Sequence, residues 1–255
     1  ECAERASTIV YPASGWPQVE SIPEPPIKPL WRKRLSLRTH SIVLNNSITE
    51  FQGQLYMAYR NGWGGASLRI CVLNQDYEVV RNEPLDIPRS QWNSVGCEDP
   101  RLFVYDNKLH VAFTGVESQR GLIAHVMYAR LSADLRVEQV FLPQFTSRNA
   151  WEKNWSFFEH DHQLYCEYSC RPRIILSVQD DKAEIAYADP EGHQTIGTIR
   201  GGASPVLWRN EFYCFDHRVM KLGSERWYVI GVHTFENKPP FRLARSAELP
   251  VLIPD

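Results

Sequence analysis

Four residues in one short stretch, Glu98, Asp99, Pro100 and Arg101, carry the most legible chemistry of this chain. Adjacent carboxylates give or take protons, and a neighbouring arginine sets which of them stays charged. A second group is cationic: Arg148, Lys153, Arg171 and Arg173 fall within one part of the chain, the last two flanking Pro172. The planar guanidinium fork fits a phosphate bidentately, so the group points to an anion. Arg171 and Arg173 share one side of a strand by its period of two, and one of them is expected to touch the ligand. In residues 215–218 neighbours face opposite sides, so of Asp216 and His217 only one looks into a channel, and His217 is the expectation. Each group also has a plainer use. Asp99-Pro100 could begin a turn, Glu98 could cap a strand end, and Arg148 and Lys153 suit a solvated surface.

These side chains need a frame, and a recurring hairpin supplies it. Residues 48–60, 102–115, 155–169 and 205–218 each read as two apolar-rich strands around a polar turn. The first apolar residues after the turns, Leu55, Leu109, Leu164 and Phe212, are spaced 54, 55 and 48 apart. A period near 50 residues with short strands indicates propeller blades. Further strands are expected at 67–73, 124–131, 174–178, 183–188, 227–234 and 241–244, where apolar and polar residues alternate. No stretch keeps helical periodicity, and the 17 prolines punctuate most connections, so the chain reads as all-β. Residues 1–37, with Pro12, Pro17, Pro23, Pro25, Pro26 and Pro29, read as an extended N-terminal arm, and 38–255 as the propeller domain.

Composition removes several classes. The 28 basic and 30 acidic residues are interspersed, leaving a net charge of −2 and no electrostatic reason to expect nucleic acid. The cluster Arg32-Lys33-Arg34 reads as a solvated entry segment. No run of about 18 apolar residues exists to cross a bilayer as a helix, so no membrane partner is expected. The six cysteines lie mostly within strand-like runs and read as buried thiols of a reducing, cytoplasmic compartment. Cys166 and Cys170 lack a second pair at ligand spacing, and His160 and His162 sit at a hairpin turn, so no metal is expected. No dinucleotide or phosphate-loop fingerprint occurs, and no cofactor is expected.

The blade pattern, Gly96-x-Glu98-Asp99-Pro100-Arg101 and Gly201-Gly202-Ala203-Ser204-Pro205 together resemble glycoside hydrolase family 130 over residues 40–250. That resemblance implies a five-bladed β-propeller, of which four blades are readable here. It implies cleavage or formation of a glycosidic bond in a β-mannoside or similar hexoside, most often by inverting phosphorolysis. Asp99 then corresponds to the general acid, passing its proton through a sugar hydroxyl. Glu98, Arg101, Asn46 and Arg60 line the sugar site. Segment 170–174 resembles the element that holds phosphate, and His217 belongs to a matching fourth-blade segment. Inorganic phosphate is the implied co-substrate and an oligosaccharide or glycoside the implied partner; assembly into an oligomer is compatible with these features. Inverting phosphorolysis needs one acid, because phosphate replaces the water that a second carboxylate would activate.

The sequence departs from the family pattern where Trp208 and Arg209 replace an expected lysine, which keeps water or an activated sugar donor open as alternatives to phosphate. A furanosidase-like arrangement would use Glu50, Asp99 and Glu167, one carboxylate from each of the first three blades. A glycan-binding propeller without activity would use Trp63, Trp92, Trp151, Trp155 and Trp208 as platforms. After the fourth hairpin too few residues remain for a complete fifth blade, so the N-terminal segment is expected to pair with another part of the fold.

Overall fold

The structure, a computed structural model, describes residues 33–37, 41–63, 66–118, 121–146, 149–189 and 198–253. These form four antiparallel sheets arranged as blades. Blade one contains β1 (Val43–Phe51), β2 (Gln54–Asn61), β3 (Ser67–Leu73) and β4 (Val79–Leu85). Blade two contains β5 (Gly96–Tyr105), β6 (Lys108–Glu117), β7 (Ile123–Leu131) and β8 (Val137–Phe141). Blade three contains β9 (Ser156–His160), β10 (Gln163–Cys170), β11 (Arg173–Gln179) and β12 (Lys182–Asp189). Blade four contains β13 (Thr198–Arg200), β14 (Val206–Trp208), β15 (Glu211–Leu222), β16 (Glu225–Glu236) and β17 (Leu243–Ser246). The four expected hairpins are β1–β2, β5–β6, β9–β10 and β14–β15. The outermost strands β4 and β8 were not legible, because few of their residues are buried and the alternation is blurred. The fifth blade is a correction: the described residues build four.

Burial follows each blade's place in the run. Every residue of β6 after Lys108 is buried, because blade two has a neighbour on both faces. Its Leu109, Val111 and Phe113 meet Ala58, Leu68 and Ile70 of blade one. Its Ala112, with Phe103, Val126 and Tyr128, meets Phe157, Cys166 and Leu176 of blade three. Phe103 and Phe157 stack across that seam, centroids 5.0 Å apart. Phe158 and Ile175 of blade three continue onto Phe212, Cys214 and Phe235 of blade four. At the start of the run the outer face of blade one, Met57, Tyr59, Cys71 and Leu73, is covered by Leu35 and Leu37. The Asn82 amide donates to the Leu37 carbonyl at 2.7 Å. Contact between the N-terminal segment and the fold is thus made by side-chain packing and this bond at 33–37; the rest of the expected arm, residues 1–32, lies outside the described residues.

One backbone device recurs in all four blades, ten residues before the apolar residue that follows each hairpin turn. Asn45, Asp99 and Asn154 occupy it with φ of 50°, 54° and 65°. Asn and Asp tolerate this left-handed conformation better than other side chains bearing a Cβ. The register of β1 against β2 shifts between Leu44 and Ser47, and that of β5 against β6 between Glu98 and Arg101. A bulge of this kind bends the strand and re-aims its side chains. In blade four the position is Gly202, where a Cβ would lie 1.8 Å from the Phe215 carbonyl oxygen. Only glycine fits that approach.

Phe157→Ala is expected to cost about 3–5 kcal/mol by opening a cavity in the seam between blades two and three. Gly202→Ala is expected to cost at least as much, because its obstacle is backbone. Urea unfolding midpoints check both; a loss under about 1 kcal/mol at either position would contradict the packing described.

Candidate functional site

The four bulge positions line one cavity of about 690 Å³, with Asn46, Arg60 and Trp63 from blade one, Arg101 from blade two and Lys153 ahead of blade three. Blade four adds Arg200, Phe215, His217 and Tyr228. The bulge turns Asp99 into this space, and three partners hold its carboxylate. Lys153 Nζ lies 3.2 Å from Oδ2, Arg60 Nη1 lies 3.6 Å from Oδ1, and the Asn45 amide donates to Oδ1. Glu98 braces the same cations, 2.9 Å from Arg60 Nη2 and 2.6 Å from Lys153 Nζ. Two cations and two carboxylates from three blades thereby form one cage.

Burial pushes the Asp99 carboxyl up, but the Lys153 charge, the Asn45 and Lys153 hydrogen bonds and Arg60 outweigh it and hold the group below the usual range. Asp99 is therefore ionised at neutral pH in the free site. Arg101 donates from Nη2 to Asn154 Oδ1 at 2.9 Å and to the Gly201 carbonyl at 3.1 Å, tying the bulges of blades two, three and four together. His217 is drawn down to about 4, by burial first and then by Arg101 and Arg200. It is neutral at pH 7.

Directly behind the cavity runs a fully buried chain of alternating charge. Asp216 accepts from Arg218 Nε at 2.9 Å and from His233 Nδ1 at 3.0 Å, and His233 Nε2 reaches Glu167 at 3.0 Å. Glu167 pairs on its other side with Arg173, whose Nε donates to the Phe241 carbonyl at 2.8 Å. Burial alone would pull His233 down, but Glu167 outweighs it and keeps the ring an imidazolium that donates from both nitrogens. Among the described residues Glu167, Cys170 and His233 bring three ligand atoms within 4.8 Å of one another. The charges there already alternate and balance through Arg173 and His233, so the geometry gives a cation no uncompensated charge to bind.

Several expectations are thereby sorted. Asp99, Asn46, Arg60, Arg101, Lys153 and His217 meet in the cavity, and Glu98 stands behind it as the brace. Arg173 is a correction: it is 1% exposed and paired with Glu167 inside the protein. Arg171 is another, since Arg171 and Pro172 form the exposed turn after β10 rather than part of a strand, away from the cavity lining. The period-two argument failed because the strand ends at Cys170 and restarts at Arg173. Arg148 lies outside the described residues. The three-carboxylate arrangement is not assembled: Glu50 is exposed away from the cavity and Glu167 is locked in the buried chain. Asn45, Asn154 and Arg200 were missed. The fixed ten-residue offset from the turn would have found the first two, whereas nothing local marks Arg200.

No family model matches the sequence, and no curated protein matches it. The fold, by contrast, is shared with solved carbohydrate enzymes. A glycosyl hydrolase from Bacteroides ovatus superposes with a TM-score of 0.60 at 13% identity, covering 84% of this chain and 73% of that one. The β-1,2-mannobiose phosphorylase from Listeria innocua, solved with β-1,2-mannobiose, gives 0.59 at 13%, covering 89% and 80%. A mannose phosphorylase from Leishmania mexicana, solved with a phosphate ion, gives 0.55 at 16%, covering 87% and 73%.

Because the His217 pKa is depressed, the unfolded chain binds its proton first, and stability is lost as pH falls from about 6.5 toward about 4. His217→Gln is expected to reduce that loss, read as a variant-minus-parent difference in urea midpoint that changes across this window. A pH-independent difference would contradict the burial assigned to the ring. Glu167→Ala is expected to cost about 3–5 kcal/mol, since it strands Arg173 and His233 inside the protein, and unfolding measured at pH 7 checks it.

Proposed function

We propose that this chain is a carbohydrate-active enzyme that cleaves, or in reverse forms, the glycosidic bond of a β-mannoside or similar hexoside, with inorganic phosphate as co-substrate, on a five-bladed version of the propeller. The observation that carries the reading is the charge of the cavity. One carboxylate, Asp99, shares it with Arg60, Arg101, Lys153 and Arg200, while Asp216 has both oxygens committed to Arg218 and His233. A hydrolase needs a second carboxylate to activate water; a phosphorylase needs cations to bring a dianion to the anomeric carbon.

Asp99 is the general acid in this reading, although it is ionised while Lys153 and Arg60 hold it. The co-substrate resolves the conflict. A phosphate dianion arriving at Lys153, Arg101 and Arg200 draws on the same cations and adds negative charge nearby, and both effects raise the carboxyl pKa. Anion binding and protonation of the acid are then coupled. A phosphate oxygen attacks the anomeric carbon, the bond to the departing sugar oxygen breaks, and the Asp99 proton passes to that oxygen. The products are a sugar phosphate and a glycan one unit shorter. In the reverse direction the ionised Asp99 takes the proton back from the acceptor hydroxyl. The fold neighbours that bind β-1,2-mannobiose or phosphate favour these two ligands.

Sugar-phosphate release from β-mannosides and β-glucosides, with and without inorganic phosphate, tests the reading. Phosphate-dependent product is expected from the parent, a loss of at least about a hundredfold in Asp99→Asn, and a Lys153→Ala variant whose KM rises for phosphate more than for sugar. Free sugar released regardless of phosphate would replace phosphorolysis with hydrolysis. No turnover with any substrate would leave a glycan-binding role.

A further inference from the structure

Resting on the glycoside reading above, we infer that the cavity continues into an aromatic track along the outer face of blade four, and that the substrate is an oligosaccharide of three or more units whose far end lies on this track. Phe215, His217 and Val219 of β15 share one face with Tyr228, Ile230 and Val232 of β16, because His217 pairs with Ile230 and Val219 with Tyr228. The opposite face carries Phe212, Cys214, Asp216 and Arg218, which are buried toward blade three or in the ion chain. On the outer face Phe215 is 49% and Tyr228 48% exposed, and both line the cavity. The His217 and Tyr228 rings lie 6.2 Å apart, making the row continuous with the site.

From blade one the cavity receives Trp63, 65% exposed, with the Arg60 guanidinium 5.6 Å from its ring centre. Arg60 also braces Asp99, so Trp63 stands one side chain from the reacting group.

A sugar ring is the occupant this composition fits. Its apolar C–H face packs on an aromatic ring while its hydroxyls reach polar groups beside it. Asn45, Asn46, Asn154 and Arg200 line the same cavity and supply those groups. A cavity of about 690 Å³ falls within the range that encloses ligands larger than one sugar ring. A protein partner would need no row of amide and guanidinium groups running into a catalytic carboxylate. The track binds the sugar units on the departing side of the scissile bond, where the site opens toward blade four.

Calorimetric titration of Asp99→Asn protein with β-linked manno- and gluco-oligosaccharides of two, three and four units tests the track. The tetrasaccharide is expected to bind about tenfold tighter than the disaccharide, and Tyr228→Ala or Trp63→Ala to bring that ratio toward one. Both side chains are exposed, so the variants are expected to fold, which their unfolding midpoints verify. Disaccharide binding with no dependence on length would overturn the track and leave the glycoside reading standing. A ratio unchanged by either substitution would overturn it too. If the substitutions alter the sedimentation coefficient instead, the face is a contact between copies of the chain. Absence of binding at every length would sink both the track and the reading on which it rests.

Discussion

Everything at the centre of this protein depends on one backbone constraint, that each inner strand breaks its pairing at the same height. A regular strand would alternate its side chains between the two blade faces and present only its edge to the axis. The bulges at Asn45, Asp99, Asn154 and Gly202 rotate the chain, so that side chains and backbone groups reach the channel instead. The residue types follow from the conformation. Three positions need a left-handed φ and carry Asn or Asp, and the fourth meets backbone so closely that it carries no side chain. The general acid of the proposed reaction is the one member of this ring that bears a charge. Its placement is therefore a by-product of blade geometry, refined by chemistry.

Two charge networks then divide the labour. The cage of Glu98, Asp99, Arg60 and Lys153 faces the cavity and joins blades one, two and the segment before blade three. Its members are accessible to a ligand, so their pairing can be exchanged. The chain Arg173, Glu167, His233, Asp216, Arg218 is sealed, with exposures of 2% or less. Alternating charge compensates each desolvated group, yet removal of one member leaves its neighbours uncompensated, which makes such a chain a device for uniqueness more than for stability. It fixes how blades three and four meet beneath His217. The floor stays rigid while the cage rearranges.

This division also explains why the arginines of the third blade behave differently from expectation. Arg173 and Lys153 are both cations near one another in sequence, but Arg173 enters β11 pointing into the seam and finds Glu167, whereas Lys153 precedes β9 and points to the axis. Cations at the axis come instead from blades one, two and four, as Arg60, Arg101 and Arg200.

The sequence by itself determined the class of fold, the positions of the four hairpins and the identity of the acid, since turn residues, alternation and a recurring period are local properties that survive without coordinates. It determined part of the site as well: Asn46, Arg60, Asp99, Arg101, Lys153 and His217 were legible from motif and strand parity. Tertiary structure alone decided the rest. Whether Glu167 and Arg173 serve chemistry or the core depends on which seam they enter, and that is set by the stacking of blades. That blade two is buried on both faces, whereas blade four shows Phe215 and Tyr228, depends on the order of blades in the run. The ionisation of Asp99 depends on Lys153 and Arg60, each brought from another blade. A local pattern specifies what a strand is and which way its side chains alternate; what those side chains meet is a property of neighbours about 50 residues away, and only packing supplies them.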